Sequence, residues 1–256
     1  MSQTICFHAY RGGTGKSHLV ANIALQLARR GKRIGVIDAD LYNPGQHILF
    51  NLPATAITQT LDMYLRGDAV LPDVVYHWEP CAISAPGALY LVPARNDANA
   101  IGLVWREGYD LALLHDTFTA IGKQWNLDYV LVDTHPGLDL HGSLLTAAST
   151  DLLYLTLRPD TQDINGTQAI INTLENFRTK PTFVLVNKSP RDREVEQVIT
   201  GLNISEHLPL VEALSISRDL VHHGSEGLFS LEHPEHPWSQ GISRIADHIL
   251  QQRPII

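Results

Sequence analysis

Cysteine is scarce in this chain: only Cys6 and Cys81 occur among its 256 residues. They lie in separate apolar contexts, and neither belongs to a Cys-x-x-Cys motif. Two thiols so placed do not provide the disulfide framework of a small secreted protein or a cysteine-rich metal site. We therefore expect buried free thiols and a cytoplasmic protein.

Long apolar runs are also missing. No stretch approaches the roughly 20 residues that a membrane-spanning helix needs. No basic segment followed by an apolar run marks a signal peptide near Met1. The last predicted helix, over 238–249, has a thin cationic face, and Pro254 ends it early. We expect this helix to pack on the rest of the protein, and we expect no direct membrane insertion.

Positive charge is in deficit as well, because 27 acidic side chains outnumber 19 Lys and Arg and give a formal net charge of −8. No overall cationic field would therefore attract nucleic acid. The basic side chains that could contribute to a local patch stand beside acidic neighbours: Arg191, Arg193 and Arg218 beside Asp192, Glu194 and Asp219. Non-specific DNA binding stays open, but the charge does not favour it.

What the chain does contain is an alternation of strand and helix patterns. Apolar strands are predicted at 5–7, 33–37, 89–92, 129–133, 152–157, 183–187 and 208–211, and residues 82–83 could form another. Helical spacing is found at 17–30, 61–65, 111–125, 164–177, 195–202 and 238–249. This order predicts an α/β fold: a three-layer sandwich whose mostly parallel, twisted sheet carries helices on both faces. No linker or repeat interrupts it, so residues 1–256 are predicted to form a single domain.

A glycine-rich segment separates the first strand from the first helix: Tyr10-Arg11-Gly12-Gly13-Thr14-Gly15-Lys16-Ser17. Its glycines let the backbone curl so that several N–H groups face one point, where the positive end of the next helix dipole also lies. Both features suit a phosphate chain. Lys16 would neutralise the outer phosphates, and the Ser17 hydroxyl would bind Mg²⁺. An ordinary turn would not account for a lysine at a helix start, where the dipole disfavours a cation.

Polar side chains follow several other predicted strands. Asp38 and Asp40 follow the strand at 33–37, Asp133 ends the strand at 129–133, and Asn187 ends a later one. Ligands of parallel sheets bind at the carboxyl ends of strands, so these side chains are predicted to share one site. Asp133 has the form of a Walker B carboxylate that holds Mg²⁺ through water, and the alternative is an aspartate that caps a turn. Asp38 and Asp40 are predicted to have different roles.

Residues 11–17 resemble the deviant Walker A loop of the ParA/MinD family, Lys-Gly-Gly-x-Gly-Lys-[Ser/Thr]. Tyr10 stands where the general phosphate loop has its first glycine. In that family the first lysine reaches across a dimer interface to the partner subunit's nucleotide, and Arg11 occupies this position here. Arginine has the same charge as lysine but carries it on a planar guanidinium group, so the two side chains are not equivalent at a phosphate.

The resemblance implies roles for individual residues. Mg²⁺ would be held by Ser17, Asp38 and Asp133. The catalytic residues would be Asp40, which orients or activates the attacking water, together with Lys16 and Arg11. Residues 134–137 would form the switch II segment, in which His135 could sense the γ-phosphate. The nucleotide-binding positions would be Gly12, Gly13, Thr14, Gly15, Lys16, Ser17, His18, Asn187 and Pro209, with Asn187 at the adenine base and Pro209 in a loop at 208–211 that closes over the base.

The resemblance also implies a function. We expect an ATPase that binds Mg-ATP, hydrolyses it to ADP and phosphate in an ATP-dependent, nucleotide-sandwich homodimer, and positions or partitions a cargo such as DNA, a protein complex or a compartment. A protein activator or cargo adaptor is an expected partner. ATP is expected rather than GTP, because residues 187–190 lack the aspartate of the guanine-binding motif. The alternative is a nucleotide-bound adaptor that barely hydrolyses ATP.

Residues 38–45 also resemble the iron–sulfur carrier branch of the same superfamily. That branch needs paired cysteines to bridge a cluster, and this chain has no such pair. The cysteine content therefore excludes an iron–sulfur carrier in this interpretation.

Overall fold

Successive side chains of the first strand pack into different apolar clusters. In the first strand, Ile5 and Phe7 pack with the first helix, whereas Cys6 packs with Leu144 and Ile170 of later helices. Since successive side chains of a strand point to opposite faces, the sheet is covered on both sides. A computed structural model shows this arrangement and describes residues 2–79, 83–138, 142–175, 180–190 and 208–252.

Eight strands form one sheet in the order β3-β4-β2-β5-β1-β6-β7-β8. Among the strands that the structure describes, β3 alone runs antiparallel to its neighbour, and the other pairings are parallel. The strands are β1 Gln3–His8, β2 Arg33–Ala39, β3 Tyr76–Trp78, β4 Ala88–Val92, β5 Tyr129–Thr134, β6 Leu152–Leu157, β7 Thr182–Ser189 and β8 Leu210–Ser215.

Ten α-helices lie within the described part of the chain, together with a short 3-10 helix at Leu71–Val74. The helices are α1 Lys16–Arg29, α2 Gln46–Leu49, α3 Leu61–Leu65, α4 Ala98–Glu107, α5 Leu111–Gln124, α6 Ser143–Ser149, α7 Thr161–Leu174, α8 Arg218–His223, α9 Phe229–Glu232 and α10 Pro237–Gln251.

Helices α1, α9 and α10 cover one face of the sheet, and α3, α5, α6 and α7 cover the other. Trp238, Ile242 and Ile249 of α10 are buried in the same cluster as α1, so the terminal helix packs on the protein as predicted. Among the described residues, no helix is both long and apolar enough to cross a membrane. The predicted three-layer α/β fold with a mostly parallel sheet is confirmed.

The structure adds several short elements that the sequence analysis did not predict. Strand β3 has three residues, and α8 and α9 have six and four, which is too short for a clear period. Helix α4 does carry a local signal, because the Asp97 side chain caps it by accepting a hydrogen bond from the Ala100 amide. The predicted helix at 195–202 lies outside the described residues, as does Ala82 of the predicted strand at 82–83.

Candidate nucleotide-binding site

The glycine-rich segment forms a tight loop between β1 and α1. Gly13 and Gly15 adopt positive φ angles of 80° and 88°, a left-handed conformation that side chains with a Cβ rarely tolerate. The loop borders a cavity of about 340 Å³, which is also lined by Asp40, Pro44 and Gly45. The predicted phosphate-binding positions Gly12, Gly13, Thr14, Gly15, Lys16, Ser17 and His18 all line this cavity.

Lys16 lies at the base of the loop and is buried with Asp133. Its Nζ atom donates a hydrogen bond to Oδ1 of Asp133, and the side chains are 5% and 0% exposed. Burial alone would lower the pKa of Lys16, but the negative charges of Asp133, Asp40 and Asp38 outweigh burial and raise this pKa above its ordinary value. The lysine is therefore charged and lies beside the strand end that the sequence analysis assigned to Mg²⁺.

Asp38 and Asp133 occupy paired positions on the neighbouring strands β2 and β5. One oxygen of Asp38, Oδ2, accepts hydrogen bonds from the backbone amides of Gly45 and Gln46 at 3.0 and 2.9 Å. Within the described part of the chain, no donor reaches its other oxygen, Oδ1, which is buried. Burial and the nearby charge of Asp133 raise the pKa of Asp38 well above its ordinary value.

These oxygens fit a divalent cation. Asp38 presents a buried carboxylate oxygen that lacks a donor within the described residues, and the buried carboxylate of Asp133 lies beside it on the neighbouring strand. Ser17 of the phosphate loop is connected to Asp133 through the Gln46 side chain, which donates to both. Hard cations such as Mg²⁺ prefer such oxygen ligands and usually keep several waters. The set predicted from the sequence is therefore chemically suited to Mg²⁺.

Asp40 has different partners from Asp38. Its Oδ1 accepts hydrogen bonds from the Asn43 amide at 3.1 Å and from Nδ1 of His135 at 2.8 Å. The ring of Tyr42 in turn contacts the ring of His135 edge-on, with 5.0 Å between centroids. Asp40 lines the cavity, and His135 binds it from the switch II segment. Sequence reasoning suggested His135 as a phosphate sensor and missed its contact with Asp40.

Arg11 is held by acidic residues of its own chain. Its Nε atom lies 2.5 Å from Oδ1 of Asp163, and its Nη2 atom lies 3.0 Å from Asp160. Asp160 caps helix α7 and Asp163 lies in its first turn. The sequence analysis expected Arg11 to reach the partner subunit, and the structure shows it in an intramolecular ion pair. Nothing in the local sequence around Arg11 indicated these partners.

A second cavity, of about 250 Å³, adjoins the phosphate loop at Gly15 and His18. It is partly apolar and is lined by Asn187, Ile216, Leu220, Val221 and Trp238 among others. Asn187 lies where it was predicted, but its Nδ2 atom donates to the Thr14 carbonyl at 2.8 Å and so supports the phosphate loop. The cavity combines apolar side chains with a few polar groups, as small-molecule sites generally do.

The structure corrects the prediction for Pro209. This residue lies at the amino end of β8, where its carbonyl accepts a hydrogen bond from the Val184 amide at 3.0 Å. The phosphate loop follows the carboxyl end of β1, at the opposite edge of the sheet. The predicted strand at 208–211 was too early, because β8 runs on to Ser215. The residues that line the second cavity therefore come after β8, beginning with Ser215 and Ile216.

His8 is a further residue of the site that sequence reasoning missed. It is fully buried at the end of β1, and its Nε2 atom lies 2.9 Å from the carbonyl of Gly137 in switch II. Its Nδ1 atom lies 2.8 Å from the Thr134 hydroxyl, which is also 2.9 Å from the Phe7 carbonyl. Burial lowers the pKa of His8 from 6.5 to about 4, so the ring is neutral and holds switch II against β1 through its single N–H group.

This depressed pKa predicts that His8 makes folding stability depend on pH. The unfolded chain takes up a proton on His8 as the pH falls below 6.5, whereas the folded protein does so only near pH 4. Stability is therefore lost on acidification between these values, by up to about 3 kcal/mol. The free energy of unfolding is measured with urea at several pH values for wild type and for His8→Gln. Titratable groups that both proteins share cancel in the difference between the two pH profiles. Parallel profiles for the two proteins would contradict it.

Comparisons with known proteins agree with this geometry. The model of a family described as ParA, NUBPL iron-transfer P-loop NTPase, matches residues 1–148. This chain belongs to the ParA/MinD family of P-loop NTPases. The matched part of this ParA/MinD protein contains the phosphate loop, Asp38, Asp40 and strand β5.

Among the relatives, an ATP-binding protein of Methanocaldococcus jannaschii is 23% identical over 256 residues, which is 98% of this chain and 88% of that protein. An iron–sulfur cluster carrier protein of Pseudomonas fragi is 29% identical over 160 residues, which is 58% of this chain. The alignment with that carrier covers 50% of the carrier's own length. The branch that the cysteine content did not favour is thus related to this chain over part of its length.

A solved structure with the same fold is the septum site-determining protein MinD of Pyrococcus horikoshii in complex with Mg-ADP. It superimposes with a TM-score of 0.80 at 20% identity and covers 98% of this chain and 97% of the MinD chain. At this identity the likeness shows a shared fold, and the Mg-ADP belongs to the MinD structure.

Proposed function

We propose that this ParA/MinD protein binds Mg-ATP at the phosphate loop and hydrolyses it to ADP and phosphate. The observation that carries the proposal is the buried ion pair between Lys16, at the end of the glycine-rich loop, and Asp133. Asp38 lies beside Asp133 on the neighbouring strand. A structural ion pair would not need a curled loop of amides or an acidic residue with an oxygen that lacks a donor.

The phosphates would be held by the amides of residues 12–17 and by Lys16, which would exchange Asp133 for a phosphate oxygen. Mg²⁺, held by Ser17, Asp38 and Asp133, would neutralise phosphate charge. Asp40, fixed by His135 and Asn43, would orient the attacking water. Phosphoryl transfer depends on such positioning and charge stabilisation, which these side chains supply.

The adenine base would occupy the cavity beside Gly15 and His18. Ile216, Leu220 and Val221 offer it apolar surface, while Asn187 keeps the phosphate loop in register through Thr14. The proposed nucleotide is ATP rather than GTP, because the guanine-specific aspartate is missing from residues 187–190.

We further propose that the active form is an ATP-dependent homodimer in a single-domain protein of residues 1–256. Arg11 would have to leave Asp160 and Asp163 in order to reach a partner's nucleotide. The dimer would position or partition a cargo in the cytoplasm, with a protein activator or cargo adaptor as partner. We do not propose that the chain carries an iron–sulfur cluster. Cys6, the cysteine that the structure describes, is buried in β1.

Calorimetry and light scattering test the proposal on the purified chain. ATP should bind in the presence of Mg²⁺ and much more weakly with EDTA, and ATP with Mg²⁺ should raise the mass in solution from one chain to two. Slow release of phosphate should accompany binding. Tight binding and dimerisation without phosphate release would favour the adaptor alternative. Absence of magnesium-dependent ATP binding to folded protein would refute both.

A further inference from the structure

Gln46 contacts all three residues to which the proposed function assigns the metal. This residue begins α2 and is fully buried. Its side-chain Nε2 atom donates to Oδ2 of Asp133 at 2.7 Å and to the backbone carbonyl of Ser17 at 3.1 Å. Its backbone amide donates to Oδ2 of Asp38 at 2.9 Å.

The two oxygens of Asp133 have partners of different kinds. Lys16 binds Oδ1 with a flexible side chain that starts in the phosphate loop, whereas Gln46 binds Oδ2 from a buried amide. A phosphate at the loop would compete with Asp133 for the charged Lys16, whereas the Nε2 group of Gln46 already donates to both Asp133 and the Ser17 carbonyl. When Lys16 leaves, Oδ1 becomes available while Gln46 still holds Oδ2, so the carboxylate keeps its orientation.

A merely structural glutamine would be expected to have both ends of its amide paired, because a buried unpaired carbonyl costs free energy. The Oε1 atom of Gln46 is buried, and within the described residues no donor reaches it. An acceptor that lacks a donor beside two carboxylates is suited to a hydrogen bond from water. The side-chain amide of Gln46 therefore lacks a hydrogen-bond donor to its oxygen, in the same region where an Asp38 oxygen lacks a donor.

We propose that Gln46 is a positioning residue of the metal site: it orients the Asp133 carboxylate and couples the loop after Asp40 to metal binding. The inference rests on the proposed function and assigns to Gln46 a role that follows from these contacts. Residues that orient the ligands of a metal typically change metal affinity by about 10–100-fold when they are removed.

The variant Gln46→Met tests this, since methionine has nearly the same length but cannot donate to Asp133. ATP affinity should be measured by calorimetry with Mg²⁺ and with EDTA. In EDTA the variant should bind ATP much as wild type does, because Lys16 and the loop amides are intact. The gain in affinity that Mg²⁺ produces should fall by about 10–100-fold. Competition of Mn²⁺ for the same site, followed by electron paramagnetic resonance, gives a second readout that needs no turnover.

Gln26→Met is the matched control, because Gln26 of α1 is also a buried glutamine but its side chain accepts from Arg30, the residue that follows α1. It should leave the magnesium-dependent gain unchanged. An equal loss of ATP affinity with and without Mg²⁺ in Gln46→Met would show a structural role and overturn the inference. If wild type itself shows no magnesium-dependent binding, the proposed function fails and the inference falls with it.

A second variant, Gln46→Glu, covers the case in which Gln46→Met does not fold. Its carboxylate would face Asp133 and Asp38, so we expect a lower melting temperature than wild type in EDTA with ATP. Adding Mg²⁺ should then raise the melting temperature more in Gln46→Glu than in wild type, because the cation offsets the added charge. Equal shifts in the two proteins would argue against a place for Gln46 beside the metal.

Discussion

Asp40→Asn is expected to lower the rate of ATP turnover by about 100- to 1,000-fold while leaving the affinity for Mg-ATP nearly unchanged. The reason is that Asp40 and Asp133 have separate partners. Asp40 is bound by His135 and Asn43 and lines the cavity, whereas Lys16 and Gln46 bind Asp133. Asparagine keeps the size of the side chain but removes the negative charge that would hold the attacking water. Single-turnover phosphate release and calorimetry measure the two effects separately.

Asp247→Asn serves as the control for this experiment. Asp247 lies on α10, is 53% exposed and forms an ion pair with Arg30. Replacing it should change neither the rate of ATP turnover nor the affinity for Mg-ATP. Equal turnover in Asp40→Asn and wild type would remove Asp40 from the catalytic role and favour the adaptor alternative. A parallel loss of affinity and rate would instead indicate that Asp40 supports nucleotide binding.

Lys16→Met is expected to abolish detectable ATP binding and to lower the free energy of unfolding by about 3–5 kcal/mol. The stability loss arises because the ammonium group compensates Asp133 in a fully buried position, with Asp38 beside it. Removing one partner of a buried ion pair leaves an uncompensated charge. The loss of binding arises because Lys16 is the proposed phosphate-binding cation, and methionine cannot neutralise the phosphates. Urea unfolding and calorimetry test the two consequences.

The double variant Lys16→Met/Asp133→Asn distinguishes these consequences. Neutralising Asp133 should restore much of the lost stability but no ATP binding, since neither the lysine nor the metal carboxylate is present. Lys188→Met is the matched single control, because Lys188 donates to the Gly13 carbonyl from an exposed position and has no carboxylate partner in the described structure. A Lys16→Met protein as stable as Lys188→Met would contradict the importance of the buried pair.

Local patterns were enough to predict the central part of the fold. The predicted strand at 152–157 coincides with β6, and the predicted helix at 111–125 matches α5 to within one residue. A continuous apolar run and a clear helical period of this length each favour one type of element. Short elements such as β3, with three residues, and α8, with six, are too short for their own residues to show a clear period. The error at Pro209 was of this kind: the end of β8 depends on its pairing with β7.

The amino-acid sequence by itself determined the glycine-rich loop, the aspartates at the ends of β2 and β5, and the family to which they point. These features depend on backbone conformation and strand direction, which neighbouring residues control. Only the tertiary structure decided the pairing of Arg11 with Asp163, the contact of His8 with switch II, and the contact of Gln46 with Asp133. The partners in these contacts are 152, 129 and 87 residues apart. The order of strands in the sheet brings such residues together, and no short pattern in the chain records that order.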